Sequence, residues 1–366
     1  MARGPPARWM RVIGNQPELQ AYHALRGLLR PVVPPADRDR VATQVQRLSA
    51  DQRSWLLQRT AQERGAGWLL EHRRQGLFQL EGPELAALQR AAATELRRTL
   101  EADALRRQLL PLLSGPVPQL LLLKGAATEQ RVYPPGVMRH CIEVDALAIP
   151  GQLAAVLEAL RDLGLRCIHR DASGRTEHYA HPAGGATLDL HLRLACPWRF
   201  PRYGTAQQLE AAAARLTLLA DGSRVLCPSD ATLQLLVHLT AGLGGDLRHL
   251  ADAAQWLLVL PPDPNALASA AKELGLARAV AASCGWLADL EPAITQPLLQ
   301  ALGPRPLADT ILDNLQHQQV VAHYLRHGPA LAAPLNALSE LLTVDFPRGA
   351  LGLTAVTLAS RWHRSR

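Results

Sequence analysis

Gln119–Ile149 reads QLLLLKGAATEQRVYPPGVMRHCIEVDALAI, and its alternation of apolar runs and breaks decides the fold class. Four leucines end in Lys124-Gly125, a short amphipathic segment follows, and Pro134-Pro135-Gly136 interrupts it. A second apolar run then carries Glu143 and Asp145. Short apolar runs bounded by turn signals read as buried strands. The spacing therefore predicts a strand at 119–124, a helix at 125–133 and a strand at 143–149. Alternate residues of a strand share a face, so Glu143 and Asp145 point together and can grip one divalent cation. A Lys-Gly at a strand-to-helix turn suits a phosphate, because a helix start offers free N–H groups and a positive dipole end. The two features side by side point to a nucleotide site.

Further along, the pattern predicts a helix at 151–163 closed by Gly164. Strands near 165–169, 176–181 and 186–193 follow, the last two joined through a Gly184-Gly185 turn. Helices then follow at 206–218, 229–244, 246–260, 264–275 and 277–290, broken sharply at Pro261-Pro262 and Pro264, with more helix expected in 295–366. Before Gln119 the helical period runs from Asp37 to Leu113, with Ser49 and Asp51 as caps. Glu84–Leu110 reads as one long helix or a broken pair, opened by Pro83 and ended by Pro111. The expected class is α+β, a small mixed-sheet core flanked by N- and C-terminal helical domains. The expected boundaries are a Pro/Arg-rich and partly disordered segment at 1–36, helices at 37–117, the core at 118–203 and helices at 204–366.

A chain of 366 residues suits two or three domains, and its net charge of +7 is carried by arginine, since Lys124 and Lys272 are the only lysines. That excess is compatible with a nucleotide or RNA but does not indicate nucleic acid. The five cysteines, 141, 167, 196, 227 and 284, are scattered without a C-x-x-C pair, which reads as reduced thiols of a cytoplasmic protein. The N-terminus lacks the apolar core of a secretory signal. No run reaches the ~20 apolar residues that cross a bilayer; Ala350–Ser360 reads as a packed helix. No P-loop, dinucleotide fingerprint or nucleophile motif is present, and Gly242-Leu243-Gly244-Gly245 reads as a break between helices.

The order LLLLKGAAT, Tyr133-Pro134, Arg139, then EVDALAI at 143–149 resembles the signature of the uncharacterised nucleotidyltransferase family within the DNA-polymerase-β-like superfamily. Thr187–His191, TLDLH, resembles the V-D-L-H strand of that family. Leu226–Asp230 through His238, and Leu247–Asp252, resemble its later helical segment. The resemblance spans roughly 45–290. It implies a small nucleotidyltransferase core in which Glu143, Asp145 and Asp189 hold Mg²⁺ or Mn²⁺ and catalyse transfer of NMP from an NTP. The acceptor is a small molecule, peptide or protein whose identity the motifs do not specify. Lys124 and Gly125 are the expected phosphate grip. Arg139 is expected to meet a phosphate or orient Asp145, with a structural salt bridge as the equal alternative. His191, on the face of Asp189, is expected at the substrate or as an ordinary buried histidine. His178 and His181 show no metal-ligand spacing, and His238, His249 and Asp252 read more as helix packing than as a cap on the cleft.

The chain departs from the family pattern just before the carboxylates. Ile142 replaces a small residue, Glu143 replaces the first Asp of D-x-D, and His140 and Cys141 replace Pro and an apolar residue. The extra methylene of glutamate shifts its oxygens, and Mg²⁺ demands near-ideal octahedral geometry. The alternatives are therefore a catalytically degenerate binding or assembly protein, and a phosphotransferase using the same site.

Overall fold

The computed structural model describes residues 17–304, apart from 31, 116–118, 135–136, 138, 172–173, 196, 198, 242–246 and 289. The expectations for residues 1–16, Cys196, the glycine-rich break at 242–245 and the tail from 305 onward, including Ala350–Ser360, lie outside the described residues.

The described chain up to Ser114 is helical: α1 (Pro17–Leu28), α2 (Pro35–Gln46), α3 (Ala50–Gln62), α4 (Ala66–Arg74), α5 (Gly82–Gln108) and α6 (Leu110–Ser114). Ser49 caps α3 and exchanges hydrogen bonds with Gln52 in a capping box, while Asp51 sits in the first turn. Residues 17–28 form a packed helix, with Ala21, Tyr22, Leu25 and Leu28 almost wholly buried. The long helix expected at 84–110 is α5, which closes at Gln108 with Leu109 as its cap; Pro111 follows in the first turn of the short α6, where proline loses no intrahelical hydrogen bond.

The sheet contains β1 (Leu120–Leu122), β2 (Glu143–Ala148), β3 (Arg166–Arg170), β4 (Thr176–Ala180), β5 (Thr187–His191), β6 (Thr217–Leu218) and β7 (Arg224–Val225). Their order is β3-β4-β5-β2-β1-β7-β6. β2 runs parallel to β5 and antiparallel to β1; β1 runs parallel to β7. The expected helix 206–218 is corrected: α9 (Ala206–Ala213) is shorter, and the following residues form the β6–β7 hairpin that extends the sheet beyond residue 203. Two-residue strands carry too little alternation to be read from sequence. α7 (Lys124–Val132) and α8 (Leu153–Asp162) connect the early strands, and Gly164 takes φ +75 after α8 as its stop. α10 (Pro228–Ala241), α11 (Leu247–Val259), α12 (Pro264–Glu273), α13 (Ala277–Leu287) and α14 (Pro292–Leu302) complete the described chain.

The period of two divides the central strands between two cores. Leu120, Leu122, Val144, Ala146, Ala148, Leu188 and Leu190 pack with Leu105, Leu109, Val156 and Leu160 of α5 and α8. Leu121, Leu123 and Leu147 face the opposite way, into an apolar cluster shared by helices from both ends of the chain. Arg26 of α1 donates to the Trp286 carbonyl of α13 at 2.8 Å, and Arg30 pairs with Glu291, the cap of α14, so α1 closes on the last two described helices. Asp145, two residues before Leu147, and its partner Asp189 thus lie on the second of these faces, away from α5 and α8. Among the described residues no helix is long and apolar enough to cross a membrane.

Candidate nucleotide site

The β2–β5 pairing sets Asp145 directly opposite Asp189, and Glu143 opposite Thr187. Because the partners are aligned residue for residue, alternate side chains of both strands gather on one face. On that face lies a cleft of about 210 Å³ bordered by Glu143, Asp145, Asp189 and His191. Lys124, Arg175 and Arg248 supply positive charge around it, and His178, His238 and His249 complete its polar wall.

Lys124 occupies the junction of β1 and α7 with φ +41, a left-handed conformation that a lysine adopts only when its surroundings enforce it. Its Nζ donates to Asp145 Oδ1 at 2.6 Å and lies 3.1 Å from His191 Nε2, which is itself 3.1 Å from Asp145 Oδ1. Burial opposes ionisation of Asp145, but Lys124 and His191 outweigh it and hold its carboxyl well below the usual carboxylate range. Burial, followed by the Lys124 charge, lowers His191 to about 4, so its ring is neutral near pH 7. His238 is likewise pushed down by burial, then by Lys124 and by the His249 ring 4.6 Å away.

The other two carboxyls behave oppositely. Burial and then the charges of Asp145 and Asp189 raise Glu143; burial and then Asp145 raise Asp189. His178 Nδ1 meets Asp189 Oδ1 at 2.5 Å, and the His169 ring stands behind His178 at 5.3 Å. A donor set of carboxylate oxygens suits Mg²⁺ or Mn²⁺, and a cation would relieve the mutual repulsion. Among the described residues, however, no three His, Cys, Asp or Glu side chains are arranged as a metal cage. Lys124 holds Asp145 and the His178 ring lies against Asp189, so both side chains must move aside for a metal to be shared.

Arg139 lines the cleft, but its guanidinium faces Asp252 of α11. Nε donates to both carboxylate oxygens at 2.9 Å, Nη2 donates to Oδ2 at 2.6 Å, and Nη1 reaches Cys141 Sγ at 3.0 Å. Tyr133 also donates to Asp252, at 2.5 Å. The geometry is that of the structural salt bridge, tying the segment before β2 to the later helices. Gly125 is buried beneath it, and a Cβ there would lie 2.1 Å from Arg139 Nη1. Its lack of a side chain makes room for the guanidinium. Glu129 fixes the other end of the residue by accepting the Arg139 backbone N–H at 3.1 Å.

Sequence reasoning brought Lys124, Glu143, Asp145, Asp189 and His191 to this region, and the fold gathers all five around one cleft. Arg175 and Arg248 escaped it. Arg248 lies within the 247–252 motif, whose proximity to the carboxylates requires a contact across more than 100 positions, as shown by its donation to the His140 carbonyl at 3.3 Å. His178 was visible on its strand, but only the β4–β5 register, His178 opposite Asp189, reveals its partner.

The fold and cleft define a mixed α/β protein with a half-buried lysine beside carboxylates aligned on neighbouring strands. The chain belongs to the uncharacterised nucleotidyltransferase family, whose sequence profile matches residues 49–290. Membership implies a nucleotide substrate and, in general terms, transfer of its nucleotidyl group. No curated protein and no solved structure gives a significant match.

Proposed function

We propose that this chain is a metal-dependent nucleotidyltransferase that moves NMP from an NTP to a hydroxyl acceptor, with Glu143, Asp145 and Asp189 as its catalytic carboxylates. The observation that carries this reading is the in-register pairing of Asp145 with Asp189 beside the Lys124 ammonium. Mg²⁺ or Mn²⁺ held by the three carboxylates would neutralise the triphosphate and activate the acceptor hydroxyl. Lys124 is then free to leave Asp145 for a phosphate oxygen, a charge-assisted contact of the kind that holds phosphates at helix starts. Arg175 and Arg248 add charge at the rim of the cleft. Neutral His191 orients Asp145 through Nε2. Gly125 supports the site indirectly, by seating Arg139.

Glu143 makes the D-x-D equivalent degenerate, and this favours a second reading, a binding or assembly protein that retains the nucleotide cleft without turnover. The hold of Lys124 and His178 on two of the carboxylates agrees with it. Titration calorimetry with ATP, CTP, GTP and UTP, each with Mg²⁺ or Mn²⁺, tests the site. Metal-dependent binding of a nucleotide that disappears in Asp145→Ala supports it; no binding by the wild type with either metal sinks it. Pyrophosphate release marks nucleotidyl transfer, whereas a nucleoside diphosphate product would mark a phosphotransferase.

A further inference from the structure

A second cavity, of about 260 Å³, opens on the other side of Glu143, between α5 and α7. Leu100, Asp103 and Arg106 of α5 form one wall; Ala126, Glu129 and Gln130 of α7 form the other. Cys141 and Glu143 border both this cavity and the carboxylate cleft. A molecule seated here therefore reaches Glu143, whereas Lys124, Asp145 and Asp189 line the carboxylate cleft alone.

The two compartments differ in charge. The carboxylate cleft carries Lys124, Arg175 and Arg248, groups that attract phosphate. The second cavity sets Asp103, Glu129 and Glu143 against the single cation Arg106. Arg106 is itself held by Asp103 and Asp221, so an anionic ligand finds no available guanidinium there. Its apolar surface includes Leu100, which is 56% exposed although it faces a concave surface. An exposed leucine alone means little; one on the wall of a pocket provides a place for an apolar ligand group.

We infer that this cavity is the acceptor site, and that the acceptor is a small amphipathic molecule carrying a hydroxyl and an amino group, with the nucleotide confined to the cleft on the lysine side. This inference rests on the nucleotidyltransferase reading for the word acceptor, but the site and its ligand class are tested without any nucleotide. The probes are tyramine, 4-ethylphenol and 4-hydroxyphenylacetate, which share a phenolic ring and differ in net charge. Saturation-transfer NMR on the full chain should rank them in that order, with tyramine bound roughly five- to tenfold more tightly than the carboxylate, the effect of one partly shielded ion pair. Leu100→Arg should weaken tyramine by a similar factor and remove its preference. Gln130→Arg on the opposite wall, also exposed, should do the same and guards against a folding defect in the first variant. Equal binding of the three probes, a preference for the anion, or a tyramine affinity unmoved by both substitutions would overturn the inference. Loss of NTP binding with these results intact would refute the nucleotidyltransferase reading alone.

Discussion

Arg139 and Asp252, 113 positions apart, form a buried pair in which the guanidinium donates three hydrogen bonds to one carboxylate. Burial opposes the charge on Arg139, and Asp252 restores it. The pair joins the loop that delivers β2 to the helix that roofs the cleft. Removing one partner of a buried pair leaves an uncompensated charge, typically a loss of about 3–5 kcal/mol. Asp252→Ala should therefore lower unfolding stability by that order in urea titrations. Arg139→Lys should recover little of it, because an ammonium cannot reproduce the fork. A loss under about 1 kcal/mol for Asp252→Ala would show that Arg139 finds another partner, which is the behaviour expected of a phosphate ligand.

Gly125→Ala tests the same pair from below. The added Cβ would stand 2.1 Å from Arg139 Nη1, and a guanidinium pinned to Asp252 cannot swing aside without breaking its bonds. Overpacking of this sort costs about 1–3 kcal/mol. The cost should shrink in an Arg139→Ala background, where nothing occupies the space. Thermal denaturation of the two single variants and the double variant measures the coupling. Strictly additive losses would mean that the glycine is needed for its backbone instead of for the space above it.

How much of this was legible beforehand follows from the range of each interaction. The strand-helix-strand of 119–149 was readable because its apolar periods and its Lys-Gly junction are local. The gathering of Asp189 with Asp145 came from family resemblance, since no local pattern specifies which strands become neighbours. The link from Arg139 to Asp252 and the roofing of the cleft by α11 were invisible because they depend on contacts across more than 100 residues. The β6–β7 hairpin escaped because two residues per strand cannot display a period.

Lys124→Met removes the cation 2.6 Å from Asp145. The charge-assisted contact that Lys124 would offer a triphosphate is lost, and NTP affinity should fall by roughly one to two orders of magnitude. Calorimetry reads this directly. Glu143→Asp shortens the first carboxylate of the triad, and if a misplacement of about 1 Å limits turnover, the rate should rise by tens of fold. Pyrophosphate release is the measurement. Unchanged turnover in Glu143→Asp, with NTP binding intact, would assign the slow step elsewhere.

Glu95 and His140 give a pH signature away from the carboxylates. Both are buried; Glu95 accepts the backbone N–H groups of Ala66 and Gly67, and His140 Nε2 lies 3.6 Å from its carboxylate. Burial raises Glu95 to about 7, the two N–H groups only partly offsetting it. Burial, then Arg139 and Arg248, lower His140 to about 4. A raised carboxyl contributes stability below its unfolded value near 4.5, and that stability is lost as pH rises towards 7. A lowered histidine does the reverse, losing stability as pH falls from 6.5 towards 4. Between about pH 4.5 and 6.5 the two slopes oppose one another, since folding moves the proton from His140 to Glu95. Glu95→Gln should expose the histidine term, so that its stability relative to wild type climbs with pH by up to ~1.4 kcal/mol per unit in that window. His140→Gln should show the opposite slope. Urea unfolding at pH 4.5, 5.5 and 6.5 checks both, and parallel curves for either variant and wild type would show that the substituted group does not titrate between these limits.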